Sequence, residues 1–177
     1  MRITAGELRG RVLTVADEPG LRPTPAKVRQ ALFNILGPID EMRLLDLFSG
    51  SGVMALEAIS RGATTISIEQ NRKLTRAMEQ IRQQWDLAEK WQIQSCPVEK
   101  GLMAQAGEQF DLIFADPPYQ QGFSEQLPQW LDTHHIGCDL LVIEESARVT
   151  PSWPAGWQCR QSRRYGDSTL HFLSRGD

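Results

Sequence analysis

The chain is poor in cysteine, with only Cys96, Cys138 and Cys159 in 177 residues. They are far apart, odd in number and lack metal-ligand spacing. Neither a disulfide framework nor a metal site is expected, and buried or idle thiols in a reducing cytosol are. No apolar run approaches the roughly 20 residues that cross a bilayer, which excludes a membrane-spanning helix. Met1-Arg2-Ile3-Thr4-Ala5-Gly6-Glu7 has no apolar stretch behind it, so no signal peptide is expected and the cytoplasm is the expected compartment. Net positive charge is missing as well: the formal charge is −3, which does not advertise a nucleic-acid partner. No internal repeat, low-complexity tract or linker divides the sequence, and the length suits one compact domain over 1–177.

What the chain does have is unevenly distributed. Residues 1–35 hold six Lys/Arg against three Asp/Glu, so the acidic excess belongs to the rest. A basic end on an acidic body is what a phosphate-contacting appendage looks like, and a solvated surface looks the same. Residues 1–20 read as a basic extension built on a small β-hairpin, with 2–5 and 11–15 as its arms and Asp17-Glu18-Pro19-Gly20 as the turn cluster that closes it. The body, 21–177, opens with a helix capped by Thr24, with Pro25 at its first position and an apolar stripe of Val28, Ala31, Leu32, Ile35 and Leu36. From residue 43, strands near 44–48, 64–68, 91–94, 110–115 and 140–143 alternate with helices near 53–60, 71–87, 98–104 and 123–131. This pattern predicts a mostly parallel sheet covered on both faces. After Pro151, 157–163 and 169–173 flank Tyr165-Gly166-Asp167 and predict an antiparallel closing pair.

In an open α/β sheet, ligands bind beyond the carboxyl ends of the strands. At the first such end stands Asp46-Leu47-Phe48-Ser49-Gly50-Ser51-Gly52. Gly50 and Gly52 allow a tight turn and close approach of a ligand, but Ala55 replaces the third glycine of the dinucleotide fingerprint, and two glycines alone are a weak signal. Glu69 closes the second strand 19 residues after Gly50, the spacing at which a carboxylate accepts hydrogen bonds from a ribose diol. Together they predict an adenosine-containing cofactor. NAD also satisfies them, but Asp46 would repel a pyrophosphate in the turn and would attract an ammonium such as that of a methionine moiety.

After the fourth strand comes Asp116-Pro117-Pro118-Tyr119. An exocyclic amine on a base is a poor nucleophile, because its lone pair is delocalised into the ring. A catalyst must hold its N–H bonds and aim the nitrogen. Asp116 offers an acceptor-only carboxylate and the carbonyl of Pro117 a second acceptor. The prolines stiffen the loop, and Tyr119 offers a flat face for a base drawn out of its stack. A rigid turn leaving a strand is the plain alternative.

Along its whole length the sequence resembles the bacterial 16S ribosomal RNA guanine-N2 methyltransferases known as RsmD. The resembling segments include Arg2-Ile3 with Gly6 and Arg9-Gly10-Arg11, Leu21-Arg22-Pro23-Thr24, the Asp46–Gly52 turn, Leu56-Glu57-Ala58, Asp116–Tyr119 and Tyr165-Gly166-Asp167-Ser168. The resemblance implies a Rossmann-like class I methyltransferase fold, with a seven-stranded, mostly parallel sheet whose last strand is antiparallel. It implies S-adenosylmethionine as cofactor with no metal, and 16S RNA of the assembling small subunit as partner, for a chain expected to be a monomer. Asp46, Phe48, Gly50, Gly52, Glu69 and Gln70 would carry the cofactor, with Thr24 and Arg22 closing the site. Arg9, Arg11, Arg22, Arg163 and Arg164 would contact RNA. Cys96 falls where such enzymes often hold the adenine amine; it is a weak hydrogen-bonding partner, so backbone groups and apolar neighbours are expected to help.

Three other readings stand beside this one. Transfer to adenine N6 of DNA or to a glutamine amide uses related tetrapeptides, although no DNA-recognition domain is visible. A nicotinamide dehydrogenase would leave Asp116–Tyr119 without a role. A non-catalytic RNA-binding module would not need that tetrapeptide intact.

Overall fold

A computed structural model describes residues 1–14, 18–19, 24–119 and 121–176. In chain order the elements are α1 (Ala26–Leu36), β1 (Arg43–Leu47), α2 (Val53–Ser60), β2 (Thr64–Glu69), α3 (Arg72–Gln84), β3 (Trp91–Ser95), α4 (Val98–Met103), β4 (Gln109–Ala115), α5 (Phe123–Thr133), β5 (Gly137–Ser146), β6 (Trp157–Tyr165) and β7 (Ser168–Arg175). The seven strands form one sheet in the order β3-β2-β1-β4-β5-β7-β6. All pairings among β1 to β5 are parallel, and β7 runs antiparallel to both β5 and β6. This is the expected Rossmann-like fold, and the strand order reverses between β1 and β4, where ligands of such sheets bind.

Strand side chains alternate between the two faces, and each face has its own core. Leu45, Leu47, Ile113 and Ile143 pack with Val98 and Leu102 of α4 and Leu127 and Leu131 of α5. Leu44, Leu112, Phe114 and Val142 pack with Val28, Leu32 and Phe33 of α1 and Met54 and Ala58 of α2. A third cluster joins Ile3, Leu8 and Leu13 to Val53, Leu56 and Ile59 on the far side of α2. Covered from both sides, α2 has all eight residues buried, Glu57 among them. The Glu57 carboxylate is fully satisfied: it accepts from Thr4 N and Thr4 Oγ1 (each 2.9 Å), from Arg29 Nε (3.2 Å) and from Arg61 Nη1.

Several local expectations shift. Among the described residues the amino-terminal hairpin shrinks to a single antiparallel bridge, Arg2 with Val12, because residues 3–13 turn aside to pack on α2; Val15, Asp17 and Gly20 lie outside the described residues. Helix α1 starts at Ala26, and Thr24 makes no side-chain cap. Its buried face is Val28, Arg29, Leu32 and Phe33, while Ile35 is exposed. Arg29 is therefore an internal partner of Glu57 and not part of a basic surface. Helix α3 ends at Gln84, short of Leu87, since Asp86 takes a left-handed conformation (φ 56°) and Leu87 N donates to Arg82 O (2.9 Å).

Candidate functional site

The carboxyl ends of β1, β2, β4 and β5 open into a cleft of about 1080 Å³. Asp46, Phe48, Gly50, Glu69, Gln70, Thr24 and all four residues Asp116–Tyr119 line it, so most of the residues singled out from sequence are brought together.

The β1–α2 turn is held in place from below. Ser49 N donates to Ile68 O (3.0 Å) and Gly52 N to Ser49 O (2.8 Å). Phe48 has a φ of 57°, a left-handed conformation that costs a non-glycine residue about 1–3 kcal/mol and recurs at ligand sites. Its ring lies 5.0 Å from that of Phe123, which lies 6.0 Å from Trp130, forming an aromatic wall of the cleft. Gly52 lies behind the cleft. A Cβ there would come within 2.7 Å of Trp91 and 2.8 Å of Met78, so glycine is required at this place by packing.

Asp46 is buried, and the Ser49 hydroxyl donates to it. Ser49 Oγ is 2.9 Å from Ser67 Oγ, which accepts from Trp91 Nε1 (2.9 Å). Burial raises the Asp46 carboxyl to about 7, Glu69 adds to the rise, and the Ser49 bond opposes it. A cationic group in the cleft would restore its charge. Glu69 accepts from Gly50 N and from Asn71 N (each 2.8 Å), one per oxygen, which fixes the carboxylate while leaving lone pairs toward the cleft. Asn71 in turn caps α3 by accepting from Lys73 N (2.9 Å). After β3 the lining residues are Pro97, Val98 and Glu99; Cys96 is set back from the cleft and packs against the α4–α5 core.

At the end of β4, Asp116 N donates to Leu47 O (3.4 Å), seating the tetrapeptide beside the β1 turn. The Asp116 carboxyl stands well above the usual carboxylate range, first because it is buried and then because Glu144, Asp46 and Glu145 surround it; the Thr24 hydroxyl opposes the rise. Thr24 therefore stands in the cleft wall beside Asp116 and not as a helix cap. Tyr119 Oη is 2.8 Å from Ser168 Oγ, so the β6–β7 turn, with Asp167 and Ser168 in the cleft wall, braces the tetrapeptide.

Glu144 was not foreseen. It follows the apolar run Leu140–Ile143 on β5, one step past the pairing of Ala115 with Ile143, and so stands next to Asp116. It is only 4% exposed, lines the cleft, and leaves Oε2 without a hydrogen-bond partner. Burial lifts its carboxyl above the ordinary value, and the nearby Ser168 and Tyr119 hydroxyls offset part of the rise. The available signal was an acid at the carboxyl end of the strand beside the tetrapeptide.

Arg9, Arg11, Arg163 and Arg164 are exposed and outside the cleft, and Arg22 lies outside the described residues. Arg11 stacks on Trp85 (5.3 Å), and Arg164 Nε donates to Gly166 O (3.0 Å). Arg163 pairs with Leu170 and Arg164 with Thr169, on opposite faces of the sheet, so one flat partner cannot meet both side chains alike. Among the described residues no cluster of His, Cys, Asp and Glu could hold a metal ion, and no helix is long and apolar enough to cross a membrane.

The donor set suits an adenosyl sulfonium amino acid: Asp46 for an ammonium, Glu69 for a ribose diol, and apolar Val98 with Phe48 beside them. Residues 1–174 match the family described as Conserved hypothetical protein 95. Ribosomal RNA small subunit methyltransferase D of Escherichia coli (strain K12) is 33% identical over 99% of this chain and 90% of its own. The solved structure of yhhF from Escherichia coli has a TM-score of 0.86 at 33% identity, covering 99% of this chain and 97% of that one. An RNA methyltransferase from Salinibacter ruber in complex with S-adenosyl-L-homocysteine shares the fold, with a TM-score of 0.65 at 17% identity over 85% of this chain and 92% of that one.

Proposed function

Because the chain belongs to the family of Conserved hypothetical protein 95, the RsmD family, we propose that it is an S-adenosylmethionine-dependent methyltransferase acting on the N2 amine of one guanine in small-subunit ribosomal RNA. The observation that carries this reading is a single cleft in which Asp116–Tyr119 adjoin Asp46 and Glu69. The expected setting is the cytoplasm, on an assembling small subunit, with the enzyme acting as a monomer and without a metal.

When bound, S-adenosylmethionine supplies a methyl group made electrophilic by its sulfonium. Asp46 holds the ammonium and Glu69 the ribose hydroxyls, while Gly50 and Gln70 border that end of the cleft. Asp116 accepts one N–H of the target amine and the Pro117 carbonyl the other, which turns the nitrogen lone pair toward the methyl. The ring of Tyr119, held by Ser168, supports the extruded base. The amine nitrogen takes the methyl, leaving a neutral thioether, and the proton shed by the amine passes to the Asp116 carboxylate that holds it. Arg9, Arg11, Arg163 and Arg164, all outside the cleft, are assigned to RNA phosphates, as is Arg22.

The test is methyl transfer from labelled S-adenosylmethionine to small subunits lacking the modification, followed by nucleoside analysis. N2-methylguanosine is expected. Label in N6-methyladenosine, or only in protein, would overturn the proposal.

A further inference from the structure

Glu144 is a cleft carboxylate to which neither the cofactor nor the target amine assigns a role. Its side chain is almost fully buried, it lines the cleft beside Asp116, and one oxygen has no partner. A buried acceptor left unpaired works against folding unless a ligand or a proton completes it. Neighbouring strands lie about 4.8 Å apart, so the carboxylates of Asp116 and Glu144 form an adjacent pair of acceptors at one end of the sheet.

The amino bases differ in what stands beside the amine. In guanine the N2 amine adjoins N1–H, a second donor. In adenine the N6 amine adjoins the N1 lone pair, and in cytosine the N4 amine adjoins the N3 lone pair. A second carboxylate next to the one that holds the amine therefore gains a hydrogen bond from guanine and meets a lone pair in the other two. Sites built to accept a donor reject analogues that lack it, because their own buried group is left unpaired.

We infer that Glu144 is the specificity-determining residue of the cleft, accepting N1–H of the target guanine while Asp116 holds N2. The inference rests on the guanine-N2 reading above. Burial beside Asp116 limits ionisation of Glu144 when the cleft is empty, and a donor at its unpaired oxygen favours the carboxylate.

The test compares small subunits reconstituted with guanine at the methylated position against subunits carrying 2-aminopurine there. That base keeps the 2-amino group but replaces N1–H with a lone pair. It also lacks O6, so the diagnostic quantity is how the guanine/2-aminopurine ratio of kcat/KM changes on mutation. In Glu144→Gln the amide offers a donor to N1, and the ratio is expected to fall at least about ten-fold from the wild-type value. Glu144→Ala, which offers neither donor nor acceptor, should lower it less. Cofactor affinity by calorimetry and the melting temperature establish that each variant is folded. An unchanged ratio in whichever variant folds overturns the inference, including when both rates fall in parallel. If the wild type yields N2-methylguanosine and the ratio does not move, only the role of Glu144 fails. If the wild type methylates another base, the guanine reading fails and takes this inference with it.

Discussion

Arg29 and Glu57 form a buried ion pair, with Nε and Oε1 3.2 Å apart, that ties α1 to α2. Arg29 Nη1 also donates to Thr24 O (2.7 Å), so this pair positions the residue whose hydroxyl stands beside Asp116. Removing one partner of a buried pair leaves the other charge uncompensated, which costs about 3–5 kcal/mol. Glu57→Ala is therefore expected to lower the unfolding free energy by that amount, read from urea denaturation. An effect under about 1 kcal/mol would contradict the role given to the pair.

The titration of Asp46 couples stability to cofactor binding. Its carboxyl ionises near 3.8 in the unfolded chain and near 7 in the fold. The relative stability that the protonated group contributes is thus fully present below about pH 4 and is lost as pH rises to 7. Asp46→Asn should stabilise the ligand-free protein at pH 8 by up to about 4 kcal/mol, with the gain fading to nothing near pH 4. S-adenosylmethionine should bind the wild type less tightly as pH falls below 7, and Asp46→Asn should remove that dependence. Calorimetric titrations from pH 5.5 to 8.5 would show it.

Asp116 works as an acceptor only when ionised, and its carboxyl stands well above the usual range. Single-turnover rates should therefore rise with pH through that raised value, so activity is lost on the acid side earlier than an ordinary aspartate would allow. Asp116→Ala should abolish turnover while cofactor affinity stays near normal; a large loss of cofactor affinity would show that the carboxylate serves the wrong ligand.

The ring and the hydroxyl of Tyr119 have separable roles. Tyr119→Phe keeps the stacking face and loses the hydroxyl that meets Ser168 and stands near Glu144, so kcat should fall less than ten-fold. Tyr119→Ala should weaken kcat/KM for subunits by about 1–3 kcal/mol, the range for a lost base–aromatic stack. Equal effects from the two substitutions would mean that the ring does not support the base.

Most of the fold could be read from sequence, since apolar strands with intervening amphipathic helices leave few arrangements. The site was legible where one strand end carried its own motif, as at Asp46–Gly52 and Asp116–Tyr119. What escaped was whatever depends on distant segments meeting. Glu144 acquires meaning only because β5 lies beside β4, and Arg29 only because Glu57 reaches it from the next helix. Gly52 was recognised as a turn glycine, but its closeness to Trp91 depends on β3, about forty residues further along. The amino-terminal segment looked like a detachable basic hairpin because alternation says nothing about what a short strand will lie against.

That segment also bears on the order of folding. Thr4 and Leu8 bond to Glu57 and Ser60, more than fifty residues downstream, and a Cβ on Gly6 would overlap Ser60 O at 1.7 Å. Residues 3–13, made before α2, must therefore wait for it before they find their place. Each such long loop closure slows folding. The segment should dock late, after the sheet has gathered, and amide exchange along residues 3–13 should be faster than in β1 and β4.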